Sequence, residues 1–263
     1  MPDPFPQSGP ISEFAETSLS VEALSPQDVA PMLELFSRAI PHTQLRRSIY
    51  LARGVERYLT YLMQYAGLQG HEQMWGLKDE SHRLLAAAHS RTFHSGSHLN
   101  NCAVDPEIQG FGLGSRMLKY WESMARSEGA SALTLDVADE NAGAQRLYLR
   151  HGFREESVTH EFRLQELPQS SEWTGLLLQN WPQALASLEV FGFGRFHMGW
   201  NARAFQVDLL PDQFRIYTPE ERVIVALHQM DAHRAILLRH SNPMQQSFWC
   251  PTGAIIRMIK ELA

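Results

Sequence analysis

The sequence is poor in cysteine, in long apolar runs and in export signals. Its 263 residues include only two cysteines, Cys102 and Cys250, which argues against the disulfide framework of a small secreted protein. No run approaches the ~18 apolar residues of a transmembrane helix, and the start "MPDPFPQSGP" lacks the basic residues and apolar core of a signal peptide. We therefore expect a cytoplasmic protein that does not bind membranes.

Positive charge is also scarce. The 23 lysines and arginines face 29 aspartates and glutamates, which gives a formal net charge of −6. Without a basic excess to neutralise a phosphate backbone, nucleic acid is not expected as a partner. His82, His89, His94 and His98 lie close in the sequence, but no cysteine or carboxylate completes a tight set, so we expect no metal site.

The length suggests one large domain or two modest ones, at roughly 100–200 residues per domain. The proline- and serine-bearing start predicts a flexible tail over residues 1–18. The best candidate for a domain boundary is the Pro/Ser break "PQSSE" at 168–172. We therefore predict one domain over residues 19–168 and a C-terminal α+β lobe over residues 169–263.

Hydrophobic periodicity predicts an α/β arrangement in the first domain. Helical spacing indicates helices at about 26–39, over 48–65, at about 112–127 and at "NAGAQRLYLRHG". Short apolar pieces between turn residues predict a three-stranded antiparallel meander at roughly 73–78, 84–93 and 97–104. Further strands are expected at "ALTLDVA" and "EESVTHEFRLQEL".

The stretch "QGFGLGSRML" follows the third strand of the meander and opens a helix. It is not a P-loop, because no lysine follows the last glycine, and Gly114 comes one position too early for a dinucleotide loop. The order strand, Asp-Pro turn, glycine loop and helix directs backbone N–H groups and the positive end of the helix dipole to one point. A pyrophosphate is the natural ligand; a closely packed tight turn is the alternative.

A second motif, "NAGAQRLYLRHGF", comes one helix and one strand later. On a helix, Asn141, Ala144 and Tyr148 recur at steps of three and four residues and share a face. Asn141 can cap the helix, Ala144 leaves room for a ligand, and Tyr148 adds a phenol at the far end. A half-buried core aromatic is the alternative interpretation of Tyr148.

Together the two motifs resemble the GNAT superfamily of acyl-CoA-dependent N-acyltransferases. The family's loop pattern, Gln/Arg-x-x-Gly-x-Gly/Ala, is matched by Gln109, Gly112 and Gly114. Its later pattern, Asn-x-x-Ala-x-x-x-Tyr-x-x-x-Gly-Phe, is matched by Asn141, Ala144, Tyr148, Gly152 and Phe153. The resemblance is clear over Leu99–Phe153 and compatible with residues 19–168, but it does not clearly cover the C-terminal lobe.

The resemblance implies a central mixed, mostly antiparallel sheet flanked by helices. This sheet would splay open between the strand ending at Val104 and the strand Ala132–Ala138, with coenzyme A in the gap. The residues implied to bind it are Cys102, Ala103 and Val104 along the pantetheine, Gln109, Gly110, Phe111, Gly112, Leu113, Gly114 and Ser115 at the pyrophosphate, and Asn141, Ala144 and Tyr148.

The implied activity is direct transfer of an acetyl group from acetyl-CoA to a primary amine of a small molecule or a protein, without an acyl-enzyme. The Val104 N–H would polarise the thioester carbonyl, and Tyr148 would protonate the departing thiolate. Many relatives carry a glutamate on the strand Leu99–Val104, but this sequence has none, so the base is undetermined. His98 is the first candidate, acting through a water; Asp136 and Glu156 are weaker ones.

The sequence of the C-terminal lobe predicts a helix, antiparallel strands and a closing helix at "CPTGAIIRMIKELA". This order resembles a degenerate partial GNAT repeat that lacks both motifs, so we expect it to wall the acceptor cleft or to form a homodimer surface. The missing strand glutamate and the added lobe leave a second function open, a CoA-binding regulatory or scaffold protein without transfer activity. The net charge mildly favours a cationic amine acceptor.

Overall fold

The computed structural model describes residues 19–65, 72–168 and 174–262. The predicted tail over residues 1–18 and residues 169–172 of the predicted break lie outside these ranges. We refer to residues 19–168 as the N-terminal half and to residues 174–262 as the C-terminal half.

The N-terminal half has its main elements in the predicted order, and the three-stranded meander is confirmed. The helix predicted over 48–65 begins only at Val55. Short 3-10 turns at Pro26–Asp28 and Pro106–Ile108 precede two helices of this half. Its elements are β1 (Val21–Ala23), α1 (Val29–Ala39), α2 (His42–Leu45), α3 (Val55–Gln64), β2 (Glu72–Lys78), β3 (Leu84–Phe93), β4 (Gly96–Val104), α4 (Leu113–Ser127), β5 (Ala132–Ala138), α5 (Ala142–Arg150) and β6 (Arg154–Leu164).

The C-terminal half contains six strands and two helices in its described part. They are β7 (Leu177–Gln179), α6 (Trp181–Phe191), β8 (Gly194–Trp200), β9 (Arg203–Leu209), β10 (Gln213–Ile216), α7 (Glu221–Met230), β11 (Ala235–His240) and β12 (Trp249–Glu261). All of these strands join those of the N-terminal half in one 12-stranded sheet of order β1-β2-β3-β4-β5-β12-β6-β11-β10-β9-β8-β7.

This sheet is mixed and mostly antiparallel, as the resemblance implies. Strands β4 and β5 pair in parallel, with α4 as the crossover between them. Strands β10 and β11 also pair in parallel, with α7 as the crossover. A parallel neighbour requires a crossover connection that a hairpin cannot supply. Each half therefore contains a strand–helix–strand unit of the same kind.

Each half lends its last strand to the other. Strand β12 lies between β5 and β6 and pairs antiparallel with both. Strand β6 in turn pairs with β11, so the last strand of the N-terminal half extends the sheet of the C-terminal half. The exchange makes the centre of the sheet common to the two halves.

Two predictions for the C-terminal half are wrong. The closing segment forms strand β12 rather than a helix; its buried positions Ala254 and Met258 fit either period, whereas the β-branched Ile255, Ile256 and Ile259 favour a strand between two open strand edges. Residues Glu221–Met230 form a helix, so β10 and β11 are parallel rather than antiparallel.

Three hydrophobic clusters hold the fold together. Helix α4 packs one cluster against the sheet with residues that repeat at helical spacing: Leu113, Met117, Leu118, Trp121 and Ala125. A second cluster lies beneath α1 and α3, and a third belongs to the C-terminal half. Met258 of β12 is buried in the first cluster, so the C-terminal strand completes the core of the N-terminal half.

Candidate active site

The glycine loop before α4 presents bare backbone. Gly110 and Gly112 have φ angles of +89° and +82°, and a Cβ added at either would meet nothing within 4 Å. The first bond of helix α4 runs from the Arg116 N–H to the Gly112 carbonyl, so the preceding N–H groups of the first turn have no partner within the helix. Positive φ angles, open space and unpaired N–H groups suit an anionic ligand.

The third glycine has a different role. A Cβ at Gly114 would lie 3.2 Å from Cδ2 of Leu147, so this glycine allows α4 and α5 to pack closely. The side chain of Gln109 turns back and donates to the Val104 carbonyl over 3.2 Å, which holds the loop against the end of β4. The loop thus has open backbone at Gly110 and Gly112 and tight packing at Gly114, so each of the two interpretations of the sequence describes part of it.

The sheet splays open where β4 and β5 stop pairing. Their parallel register covers only Gly96–Leu99 against Ala132–Leu135, so the rest of β4 faces a gap. The Asp105 N–H donates to the Leu85 carbonyl on β3, and because successive N–H groups along a strand alternate in direction, the Val104 N–H points the other way. This N–H therefore points into the gap.

Tyr148 lies on α5 and is buried, with 9% of its surface exposed. Its ring meets that of Phe153 edge to face at 6.0 Å. Burial, and then the charge that a Cys102 thiolate would carry, raise the pKa of Tyr148 well above its usual value. The phenol beside Cys102 is therefore fully protonated at neutral pH.

The other members of the two motifs fix the local structure. Asn141 caps α5 as predicted, its Oδ1 accepting the Ala144 N–H at 3.1 Å. Ser115 is hydrogen bonded through its hydroxyl to Nε2 of His151 at 3.0 Å, a contact that the sequence did not predict. Cys102 is a partly buried thiol whose pKa burial raises to about 12, which fits a strand residue rather than a nucleophile.

The Asp-Pro turn between β4 and the glycine loop is held by a buried carboxylate. The Asp105 side chain is fully buried and accepts from Arg38 at 3.1 Å, from Arg83 at 2.6 Å and from the Glu107 N–H at 3.1 Å. Burial opposes its ionisation, but the hydrogen bonds from Arg83, the Glu107 N–H and Arg38 outweigh burial and lower its pKa. The turn is therefore anchored by a charged group.

We expect Asp105→Asn to lower the free energy of unfolding by about 1.5–3 kcal/mol, because hydrogen bonds to a charged group are weakened. Because folding lowers the pKa of Asp105, its ionised carboxylate stabilises the folded state fully at pH values above the unfolded pKa of about 3.9. This stabilisation is lost as the pH falls through the folded pKa. Urea unfolding at pH 7 and at pH 3 measures both effects. Glu107→Gln is the control, since Glu107 is exposed and pairs with the same arginine; an equal loss in the two variants would contradict the prediction.

A cavity of about 620 Å³ opens between the two halves of the chain. The N-terminal half contributes the end of the gap, including Asn100 and Asn101 of β4 and Asp136 of β5. The C-terminal half forms the opposite wall with residues of α6, β8, β9, β10 and β11. The C-terminal half thus forms one wall of this cavity.

His98, the first predicted base, lines this cavity but is a weak proton acceptor. Its Nδ1 lies 3.0 Å from Thr134 Oγ1, and its Nε2 lies 4.0 Å from Asp136. Burial lowers the pKa of His98 to about 4, against the partial opposing effect of Asp136. Asp136 forms a two-point ion pair with Arg257, and Glu156 is exposed on β6 away from the cavity lining.

The structure brings together a group of residues that sequence reasoning missed. Tyr50 Oη lies 2.7 Å from His89 Nδ1, and His89 Nε2 lies 2.6 Å from Glu72 Oε2. Asn100 donates to the same Glu72 oxygen at 3.2 Å. These four residues line the cavity, and His89 is 3% exposed. No motif connects them, because they come from a loop and three different strands.

Within the ranges 19–65, 72–168 and 174–262, no three His, Cys, Asp or Glu side chains are grouped so that they could hold a metal ion. No helix in those ranges has the length and apolar character needed to cross a bilayer.

A sheet splayed beside a glycine loop at a helix N-terminus, with a buried tyrosine across the gap, defines the class of GNAT-fold proteins. Residues 40–153 match the model of the acetyltransferase (GNAT) family. The [ribosomal protein bS18]-alanine N-acetyltransferase of Escherichia coli K12 is 29% identical over 98 residues. That match covers 37% of this chain and 66% of the relative, just under two thirds of its length.

Solved structures extend the similarity over both halves. The tandem GNAT protein from the clavulanic acid biosynthesis pathway superposes with a TM-score of 0.65 at 11% identity, covering 93% of this chain and 98% of that one. A putative acetyltransferase from Pyrococcus horikoshii gives a TM-score of 0.61 at 13% identity over 94% and 90% of the two chains. At such identities the similarity shows the fold alone, and the fold includes the C-terminal half.

Proposed function

We propose that the protein is an N-acetyltransferase that moves the acetyl group of acetyl-CoA to a primary amine in a ternary complex. The observation that carries the proposal is the convergence of three features on one gap: the inward-pointing Val104 N–H, the open backbone of Gly110 and Gly112, and the protonated Tyr148. The cavity adjoining the gap offers room for an acceptor. The free thiols Cys102 and Cys250 fit the cytoplasm as its location.

The reaction forms a C–N bond between the amine and the acetyl carbon and breaks the C–S bond of the thioester. The Val104 N–H donates to the thioester oxygen, where negative charge develops, and a fixed donor of this kind contributes roughly 10²–10³ in rate. Gly110, Gly112 and the first turn of α4 hold the pyrophosphate through backbone N–H groups. Tyr148 donates its phenolic proton to the departing sulfur.

The amine must lose a proton, and the Glu72–His89–Tyr50 chain is the strongest candidate to accept it. With neutral His89 protonated on Nε2, this N–H donates a hydrogen bond to the Glu72 carboxylate. The unprotonated Nδ1 then accepts a hydrogen bond from the Tyr50 hydroxyl. The Tyr50 oxygen can then take a proton from the ammonium group while its own proton moves to His89. Glu72 would stabilise the resulting imidazolium, whereas His98, with a pKa of about 4, has no comparable partner.

We expect Glu72→Gln to lower kcat at pH 7 by about 10²-fold, at the lower end of the contribution of a positioned base. The deficit should shrink as the pH rises toward the amine pKa of about 10, because free amine then needs no base. Glu56→Gln, an exposed change on α3, is the control. A larger loss in His98→Gln than in Glu72→Gln would assign the base to His98 instead.

Two measurements test the proposed function itself. Acetyl-CoA at 100 times its dissociation constant should raise the free energy of unfolding by about 2.7 kcal/mol. Release of the CoA thiol is then followed across a panel of small amines and peptides. Stabilisation by acetyl-CoA without thiol release from any acceptor would favour the regulatory or scaffold function over the enzyme.

A further inference from the structure

Arg215 is a buried cation that forms no ion pair with any of the described residues. It lies on β10, is 6% exposed and lines the cavity between the two halves. Its Nε is buried and has no hydrogen-bond partner in the part of the chain that the structure describes. Burying an unpaired charge is costly, and an anion from outside the chain would offset this cost.

Three arginines near Arg215 have carboxylate partners of their own. Arg195 pairs with Asp208 at 2.7 Å, and both Arg47 and Arg239 pair with Glu161 at 2.7 Å. Asp208 lies opposite Arg215 in the strand register but gives its oxygens to Arg195, Gln206 and the Tyr217 hydroxyl. Burial, and then the positive charge of Arg239, lower the pKa of Arg215. An anion bound at Arg215 would stabilise the charged guanidinium and so oppose both of these effects on its pKa.

Among the residues that line the cavity, arginines outnumber carboxylates, in contrast to the chain as a whole. Five arginines and three acidic residues line the cavity, whereas the formal net charge of the protein is −6. The overall charge mildly favours a cationic amine acceptor, whereas this excess of arginines favours an acceptor that also carries a negative charge. A volume of about 620 Å³ suits a small molecule, since such sites commonly enclose about 300–1,000 Å³.

The two walls of the cavity thus suit two different groups of one acceptor molecule. The N-terminal half holds the gap and the Glu72–His89 pair, which serve the amine, and the C-terminal half presents Arg215. We propose that the acceptor is a small amino acid-like molecule that bears a carboxylate as well as the primary amine, and that Arg215 binds this carboxylate. The proposal rests on the acetyltransferase function and names its substrate class. A guanidinium matches a carboxylate through two parallel N–H donors, which an ammonium group cannot do.

The test compares acceptors that differ only in the carboxylate. The panel holds the standard amino acids and unbranched ω-amino acids, each beside the matching amide or alkylamine. The wild type should prefer the carboxylate member of the best pair by 10-fold or more in kcat/KM. Arg215→Gln should lower kcat/KM for that member by on the order of 10- to 100-fold, the range of a charged hydrogen bond, and bring the ratio within the pair close to one. Arg215→Lys should restore it only in part.

Controls separate this inference from the proposed function. Arg203→Gln, an exposed arginine outside the cavity lining that pairs with Glu220, should leave the ratio unchanged. Calorimetric titration of the same amino acids into the CoA-bound protein reports carboxylate binding even without turnover. Equal use of both members of every pair, binding unaffected by Arg215→Gln, or transfer confined to peptides would overturn the inference. Carboxylate binding that needs Arg215, without thiol release, would overturn the acetyltransferase function alone.

Discussion

Replacing Tyr148 by phenylalanine is expected to lower kcat by roughly 10²–10⁴, the contribution of a positioned general acid. Burial raises the pKa of this phenol, so it is protonated at neutral pH and can donate its proton to the sulfur as negative charge develops there. In the proposed function the pyrophosphate is bound by the backbone before α4, not by this hydroxyl. The dissociation constant of acetyl-CoA should therefore change by less than about threefold while turnover collapses.

The phenylalanine variant keeps the ring, so the edge-to-face contact with Phe153 and the packing of α5 are preserved. Tyr120→Phe is the matched control: Tyr120 lies on α4 against Trp75, and removing its hydroxyl should leave kcat unchanged. Single-turnover thiol release separates the chemical step from product release. Unchanged turnover in Tyr148→Phe would remove the acid role from this residue.

The parts of the site that sequence predicts are those encoded by contiguous residues. Gly110 and Gly112 belong to one loop, and the backbone conformation that they adopt follows from glycine itself. Asn141 caps the helix that carries Tyr148, so the motif fixes its own local structure. The splay of the sheet was implied by the family resemblance, and in the structure the parallel pairing of β4 and β5 ends at Leu99.

The rest of the site depends on contacts between distant segments. Tyr50, His89 and Glu72 meet only after the loop before α3 packs on the sheet, and no spacing in the sequence connects them. Arg215 likewise could not be identified from the sequence, because its burial is a property of the assembled cavity. The same is true of its Nε, which has no hydrogen-bond partner among the described residues. His98 was predicted from its place on β4, but burial sets its pKa and could not be read from the sequence.

The exchange of last strands predicts that the N-terminal half cannot fold alone. A fragment of residues 19–168 lacks β12, which pairs with β5 along Ala132–Ala138 and with β6 along most of its length. The fragment would also expose the core around Met258, whose side chain is 1% exposed in the full chain. Because a domain is stable by only about 5–15 kcal/mol, losing a central strand should leave the fragment unfolded or aggregated.

A synthetic peptide of residues 249–262 should restore folding of the fragment, because it supplies the missing strand and the Met258 side chain. Circular dichroism and the fluorescence of Trp75 and Trp121, both buried in the N-terminal half, report the transition. A Met258→Ala peptide should rescue more weakly, since truncating a buried methionine costs about 2–5 kcal/mol. In the full chain the shared strands should make both halves unfold in one transition. A fragment that unfolds cooperatively without the peptide would show that the exchange is dispensable for folding.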